Sequence, residues 1–166
     1  VKDVAVAPDG VVWFVTTNSV AKFDGADWTV FETGNGFSKD YYFTAIAVDP
    51  QGNVWAAHGS GIWKYDGSNW TNQEGSNFSQ VGCLAVDKNG FLWAGTYSKG
   101  LNLYNGQGWI NYNRQNSGLS SNHVRTLAVD GDHRIWIGTE WGLDVFDGQE
   151  WQTYHMHNSD LTDNEI

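Results

Sequence analysis

Four things are scarce in this chain, and each scarcity removes a class of protein. It has one cysteine, Cys83, so no internal disulfide can form. Cys83 sits in an apolar stretch, where the default reading is a small buried hydrophobe rather than a reactive thiol. Only nine lysines and arginines are present, scattered against nineteen acidic residues for a net charge of −10. A phosphate-binding surface needs clustered positive charge, so nucleic acid is excluded as a partner; the acidic surface serves solubility. No apolar run approaches the roughly 18 residues of a membrane span, and no basic-then-apolar start marks a leader. Charged residues are only 17% while aromatic residues reach 15%, the reverse of a disordered composition.

What the chain has in abundance is tryptophan and glycine, ten and twenty respectively. Glycines spread evenly supply the positive φ angles that short hairpins need, and no segment carries a helical period. The class is all-β. One line recurs four times: VAVAPDGVVWFVTTNSVAKFDGADW, IAVDPQGNVWAAHGSGIWKYDGSNW, LAVDKNGFLWAGTYSKGLNLYNGQGW and LAVDGDHRIWIGTEWGLDVFDGQEW. The first Trp of each unit (Trp13, Trp55, Trp93, Trp136) steps by 42, 38 and 43 residues, and the second (Trp28, Trp70, Trp109, Trp151) by 42, 39 and 42.

Each unit reads as four strands, a to d. In the last they span Val124 to Asp130, Arg134 to Thr139, Gly142 to Phe146 and Glu150 to Tyr154. The a–b turn carries Asp-x-x-Gly or a variant and the c–d turn Asp-Gly or Asn-Gly, the residues that tight hairpins demand. A period near 40 with four strands is the blade of a β-propeller. The sequence therefore predicts four-stranded antiparallel blades at about 1–42, 43–80, 81–123 and 124–165. All eight periodic tryptophans are expected between blades, and the small Ala5, Ala47, Ala85 and Ala128 in the crowded innermost strands. The segment from Asn158 to Ile166 repeats that from Asn116 to Val124, ending on the first residue of a further strand a. Closure by four blades alone, pairing of two copies into eight blades, and membership of a longer propeller are all open; the last is the expectation.

The unit DxxGxxWxGTxxGLxxYDGxxWxxY, followed by NSGLxSNxV, resembles the two-component regulator propeller repeat over essentially the whole chain. Its best copies run from Asp87 to Tyr112 and from Asp130 to Tyr154. The first unit departs, with Thr16-Thr17 in place of Gly-Thr and Asn18-Ser19-Val20 in place of the Gly-Leu segment, and the second has Ala57-His58 at the Gly-Thr positions. The resemblance implies a bacterial sensor whose propeller lies outside the cytoplasmic membrane and reads ligands, often glycans, through a membrane-crossing kinase. Unit one is also similar to streptogramin-lyase-type propellers, at the level of fold.

In an alternating meander the b–c loops and the long d–a loops share one face, the usual binding face of a propeller. The b–c loops hold Asn18, His58, Tyr97, Lys99, Glu140 and Trp141; around d–a lie Phe37, Tyr41, Tyr42, Phe78, Arg114, His123 and Arg125. Aromatics beside amides and charges suit sugar or peptide recognition, and the residues singled out as ligand-binding are Tyr42, His58, Tyr97, Arg125 and Trp141. The competing role for Tyr42, Phe78 and Trp141 is to cover the ends of the blade interfaces.

His155 and His157 form an HxH with both side chains expected on one strand face, but no third ligand is evident. Asp130 and Asp132 lack a calcium loop and read as turn caps. The triplets starting at Asn69 and Asn77 match glycosylation sequons and are expected to be unmodified. No nucleophile elbow, phosphate loop, HExxH or Cys–His arrangement is present, although Asp40, Glu74 and Glu140 are carboxylates that could meet in space. The expectation is a non-catalytic ligand-sensing or recognition propeller of a bacterial extracytoplasmic protein. It takes a glycan, peptide or protein partner, with no cofactor, no metal and no direct membrane insertion, and a homo-oligomer remains open. A structural, self-assembling surface repeat is the alternative, and a propeller lyase the third.

Overall fold

The computed structural model describes residues 1–32, 37, 42–59, 61–73 and 80–166. Among them sixteen strands form four separate antiparallel sheets, each of four strands in chain order. Blade 1 is β1 (Asp3–Val6), β2 (Val12–Val15), β3 (Val20–Phe23) and β4 (Trp28–Phe31). Blade 2 is β5 (Phe43–Val48), β6 (Val54–His58), β7 (Gly61–Tyr65) and β8 (Trp70–Asn72). Blade 3 is β9 (Val81–Val86), β10 (Leu92–Thr96), β11 (Leu101–Tyr104) and β12 (Trp109–Tyr112). Blade 4 is β13 (Val124–Val129), β14 (Ile135–Thr139), β15 (Gly142–Phe146) and β16 (Trp151–Tyr154).

The turn residues make these meanders. At the c–d turns Asp24, Asp66, Asn105 and Asp147 each accept, on one side-chain oxygen, the backbone N–H groups two and three residues ahead. At the a–b turns of blades 2 to 4 the first Asp accepts from the backbone N–H groups two and four residues ahead and also reaches the blade's tryptophan. Asp49 accepts from Trp55 Nε1 at 3.3 Å, Asp87 from Trp93 at 3.2 Å and Asp130 from Trp136 at 2.7 Å. One carboxylate thus sets the turn and fixes the indole that packs the blade.

The inner strands β1, β5, β9 and β13 lie side by side in chain order, and three buried apolar clusters join blade 1 to 2, 2 to 3 and 3 to 4. At each junction the first tryptophan of one blade meets aromatics of the next. Trp13 stacks on Phe31 of its own blade and meets Tyr65 and Trp70 across the junction, at 5.6 and 6.5 Å between ring centres. Trp93 stacks on Tyr112 and meets Phe146 at 6.1 Å. The segment between blades 3 and 4 is tied down by Asp144, which is buried and accepts from Ser120 N, Ser120 Oγ and Thr153 Oγ1. Burial pushes this carboxyl above the usual range, and those three hydrogen bonds oppose the shift.

Two of the eight periodic tryptophans depart from the expected place between blades. Trp28, on the outer side of blade 1, is 64% exposed, and Trp136, on the far side of blade 4, is only half-buried. The reason is geometric: a second tryptophan faces the preceding blade and a first tryptophan the following one, and among the described residues no blade packs on these two faces. Ala128 is exposed for the same reason, whereas Ala47 is buried.

The register also corrects the reading of unit one. Val15 pairs with Asp3 as Gly95 pairs with Cys83, and Thr16 closes the b–c turn as Thr96 does, so Val15-Thr16 rather than Thr16-Thr17 occupies the Gly-Thr positions.

Cys83 lies partly buried against the junction of blades 3 and 4. Burial pushes its thiol up to about 12, against a weaker opposing contact from the Gly95 amide. At pH 8 the native thiol should react with an aromatic disulfide reagent about a thousandfold more slowly than the same thiol in urea, because the thiolate is the reacting species. A native rate within tenfold of the unfolded one would contradict this burial.

Candidate functional site

The loops that close strands b to c and the starts of the inner strands meet on one face, around the line where the inner strands converge. Three inner strands carry a one-residue irregularity at the same point. Phe43 and Ala45 pair with His58 and Ala57, leaving Thr44 out of register. Val81 and Cys83 pair with Thr96 and Gly95, leaving Gly82. Val124 and Thr126 pair with Thr139 and Gly138, leaving Arg125. A bulge re-aims the side chain it frees. Lys2 holds the same place in blade 1, its N–H bonded to Val15 O at 2.8 Å.

Lys2, Thr44 and Gly82 line a cleft of about 340 Å³ together with Thr17, Tyr42, Phe43 and Tyr97. Thr44 Oγ1 lies 2.7 Å from Val81 O, tying the floor of the cleft across two blades. Gly82 has a steric reason to be glycine: a β-carbon there would sit 3.0 Å from the Tyr97 ring. The hydroxyl end of the ring therefore rests against the Gly82 backbone. Tyr42 and Tyr97 are 74% and 45% exposed, so neither serves as a buried cover for a blade interface.

A polar chain leads from this cleft to blade 4. Tyr97 meets His123 edge-on at 5.0 Å; His123 Nδ1 lies 3.3 Å from Glu140, which also accepts from Ser121 Oγ at 3.0 Å. Arg125 pairs with Glu165. At the outer rim Trp141 is 56% exposed, with the Arg114 guanidinium 5.0 Å from its ring, an arrangement that holds both flat and accessible.

Of the five residues singled out from the sequence, Tyr42 and Tyr97 share the cleft, Arg125 lies at the equivalent bulge of blade 4, and Trp141 stands on the rim. His58 is placed differently. It is 4% exposed, edge-on to Phe43, with its ring against Gly61. Its position is the one held by Thr96 and Thr139, whose hydroxyls donate to the b–c turn carbonyls of Gly100 and Gly142, so its side chain turns into the blade. Phe37 is likewise buried, between Phe43, Trp63 and Trp70. Tyr41, Phe78, Asp40, Glu74 and the triplet starting at Asn77 lie outside the described residues.

The residues that sequence reasoning missed are Lys2, Thr17, Thr44 and Gly82. They sit inside or beside strands, and the signal that could have found them is the alternation of strand a broken at one fixed repeat position. The HxH is not on a strand face, because β16 ends at Tyr154 and Asn158 Oδ1 accepts from His155 N to begin a turn. There His155 Nδ1 accepts from His157 N at 3.2 Å. A second cleft, of about 390 Å³, opens at the opposite end of the inner strands, lined by Val6, Pro8, Pro50, Lys88 and other a–b turn residues. Its lining is the turn chemistry every blade uses.

Two segments, residues 75–98 and 118–141, match the family model described as two component regulator propeller, so the chain carries that repeat. No curated protein matches the chain. Among solved structures it is similar to an extracellular domain assigned to a hybrid two component system of B. thetaiotaomicron, with 22% identity, a TM-score of 0.75, and coverage of 93% of this chain and 23% of that one. It is also similar to PorZ, a bacterial surface component of the type-IX secretion system of Porphyromonas gingivalis. There the identity is 22%, the TM-score 0.68, and the coverage 86% of this chain and 24% of that one. Virginiamycin B lyase from Staphylococcus aureus matches at 12% identity and a TM-score of 0.72, over 92% of this chain and 54% of the lyase. The chain spans about a quarter of the first two and about half of the lyase. These likenesses show the fold, a β-propeller.

Proposed function

We propose that this arc of blades is a non-catalytic recognition module of a bacterial extracytoplasmic protein, and that it takes a small neutral glycan or a short peptide in the cleft between Tyr42 and Tyr97. The observation that carries the reading is the convergence of strand-start residues from three blades, Lys2, Thr44 and Gly82, with two exposed tyrosines on one cleft of about 340 Å³. Tyrosine offers an apolar face and a hydroxyl, which suits a sugar ring or a peptide side chain. The propellers it resembles include an extracellular domain of a sensing system, which supports the compartment and the sensing role.

A likeness to a lyase supports no catalysis without a site for it. Ser121 and His123, a hydroxyl and an imidazole on the polar chain beside the cleft, both engage Glu140 and so do not form a nucleophile–base pair with each other. The reading is tested by screening the labelled chain against arrays of neutral oligosaccharides and short peptides, then repeating the best hit with Tyr97→Ala. Affinity should fall at least about tenfold, equivalent to about 1.4 kcal/mol, with circular dichroism unchanged. Undiminished binding by Tyr97→Ala and Tyr42→Ala together would move the site elsewhere.

A further inference from the structure

Over the junction of blades 3 and 4, the face that holds the cleft carries a tryptophan and an arginine that the repeat does not ask for. No other b–c loop contains a tryptophan. In the linker that follows blade 4 the place of Arg114 is taken by Met156, whose N–H donates to Asn164 as that of Arg114 donates to Asn122. Blade packing therefore does not account for the pair. A bare end of the arc does not account for it either, because blade 3, blade 4 and the linker between them are all described around it.

Both residues sit on fixed backbone. Trp141 occupies the two-residue turn between β14 and β15, its N–H donating to Thr139 Oγ1 at 3.1 Å. The next residue, Gly142, is pressed so close to Tyr154 O that a β-carbon there would lie 2.5 Å from it. Arg114 N donates to Asn122 Oδ1 at 2.9 Å, and Asn122 O accepts from Gly100 N at 2.9 Å, which brings Lys99 to the same patch.

The charge of this patch is not compensated from within the chain. Of the three arginines, Arg125 pairs with Glu165 and Arg134 with Asp130 and Asp132. Arg114 and Lys99 have no carboxylate partner among the described residues, although acids outnumber bases nineteen to nine. Glu140, the neighbour of Trp141 in sequence, is taken up by Ser121 Oγ and His123. The Arg114 guanidinium lies over the indole, 5.0 Å from its centre, while the tryptophan stays 56% exposed. A guanidinium lying over a ring keeps its edge free, and that edge presents paired N–H groups in the spacing of a carboxylate.

We propose that Trp141 and Arg114 form a second binding site, separate from the Tyr42–Tyr97 cleft, for a carboxylate-bearing sugar ring. The pyranose of a uronic acid lies against the indole, its carboxylate takes the paired N–H groups of Arg114, and Lys99 adds positive charge at the edge. A neutral sugar would leave the guanidinium fork unpaired, and a small inorganic anion would leave the indole uncovered; a ring with an acid on its edge satisfies both.

The test is titration calorimetry of the chain with galacturonate, glucuronate and mannuronate trisaccharides and the methyl ester of each. At least one acid is expected to bind with a Kd of about 1 mM or below, and its ester at least about tenfold more weakly. Arg114→Gln and Trp141→Ala, both at exposed sites, should each weaken binding of that acid at least about tenfold with circular dichroism unchanged. Tyr42→Ala, in the cleft, should leave it within about twofold, since distant sites act independently. Failure of all three acids to bind overturns the proposal, as does an ester that binds like its acid or an Arg114→Gln chain that binds like wild type. Equal losses with Tyr42→Ala and Arg114→Gln would overturn the separateness of the site and leave the cleft reading standing. An acidic aromatic peptide that binds this patch more tightly than every uronate would overturn the assignment to a sugar.

Discussion

Trp93→Ala is expected to destabilise the chain by about 3–5 kcal/mol, read as a shift of the urea midpoint at unchanged slope. The indole is buried, stacks on Tyr112, meets Phe146 of the next blade and donates to Asp87. Its removal opens a cavity at the junction of blades 3 and 4 and leaves one carboxylate oxygen of a buried Asp without that donor. The same substitution at the same repeat position in the last blade, Trp136→Ala, should cost only about 1–2 kcal/mol in dilute solution, because less of that side chain leaves water on folding. Equal losses at the two positions would mean that Trp136 is covered.

Gly100→Ala should be nearly as damaging, for a different reason. Gly100 turns blade 3 from its second to its third strand at φ +79°, and an added β-carbon would lie 2.3 Å from Tyr112 O and 3.2 Å from Leu119. Backbone has to move, and the Thr96 hydroxyl loses its hold on Gly100 O. A loss of about 3 kcal/mol follows from strain and overpacking together. Gly52→Ala, at φ +84° but with open space around it, isolates the conformational part and should cost about 1 kcal/mol. Thermal unfolding of the pair separates the two: similar midpoints would show that the crowding at Gly100 relaxes freely.

The blades were legible from the sequence because every rule that makes them is local and repeated. Asp or Asn with Gly at fixed offsets makes the turns, period-two alternation makes the strands, and tryptophan at a fixed phase makes the packing. The cleft was legible only where its residues lie in loops, as Tyr42 and Tyr97 do. Thr44 and Gly82 look like ordinary strand residues, and only pairing reveals that they sit opposite nothing. His58 was misplaced because a hairpin's last strand residue and its first loop residue are adjacent in sequence but face opposite environments. Trp28 and Trp136 match their repeat equivalents letter for letter; their exposure depends on neighbours, which a repeat pattern does not encode.

The bulge at the head of β5, β9 and β13 has one more consequence. Because the freed residue is paired with none on the next strand, Thr44, Gly82 and Arg125 can differ in charge and size while the sheets beneath them stay alike. Duplication or exchange of a whole repeat in a gene therefore carries one bulge residue with it and leaves the neighbours' chemistry intact. Specificity in such a protein can be inherited and recombined one blade at a time, without refolding being renegotiated.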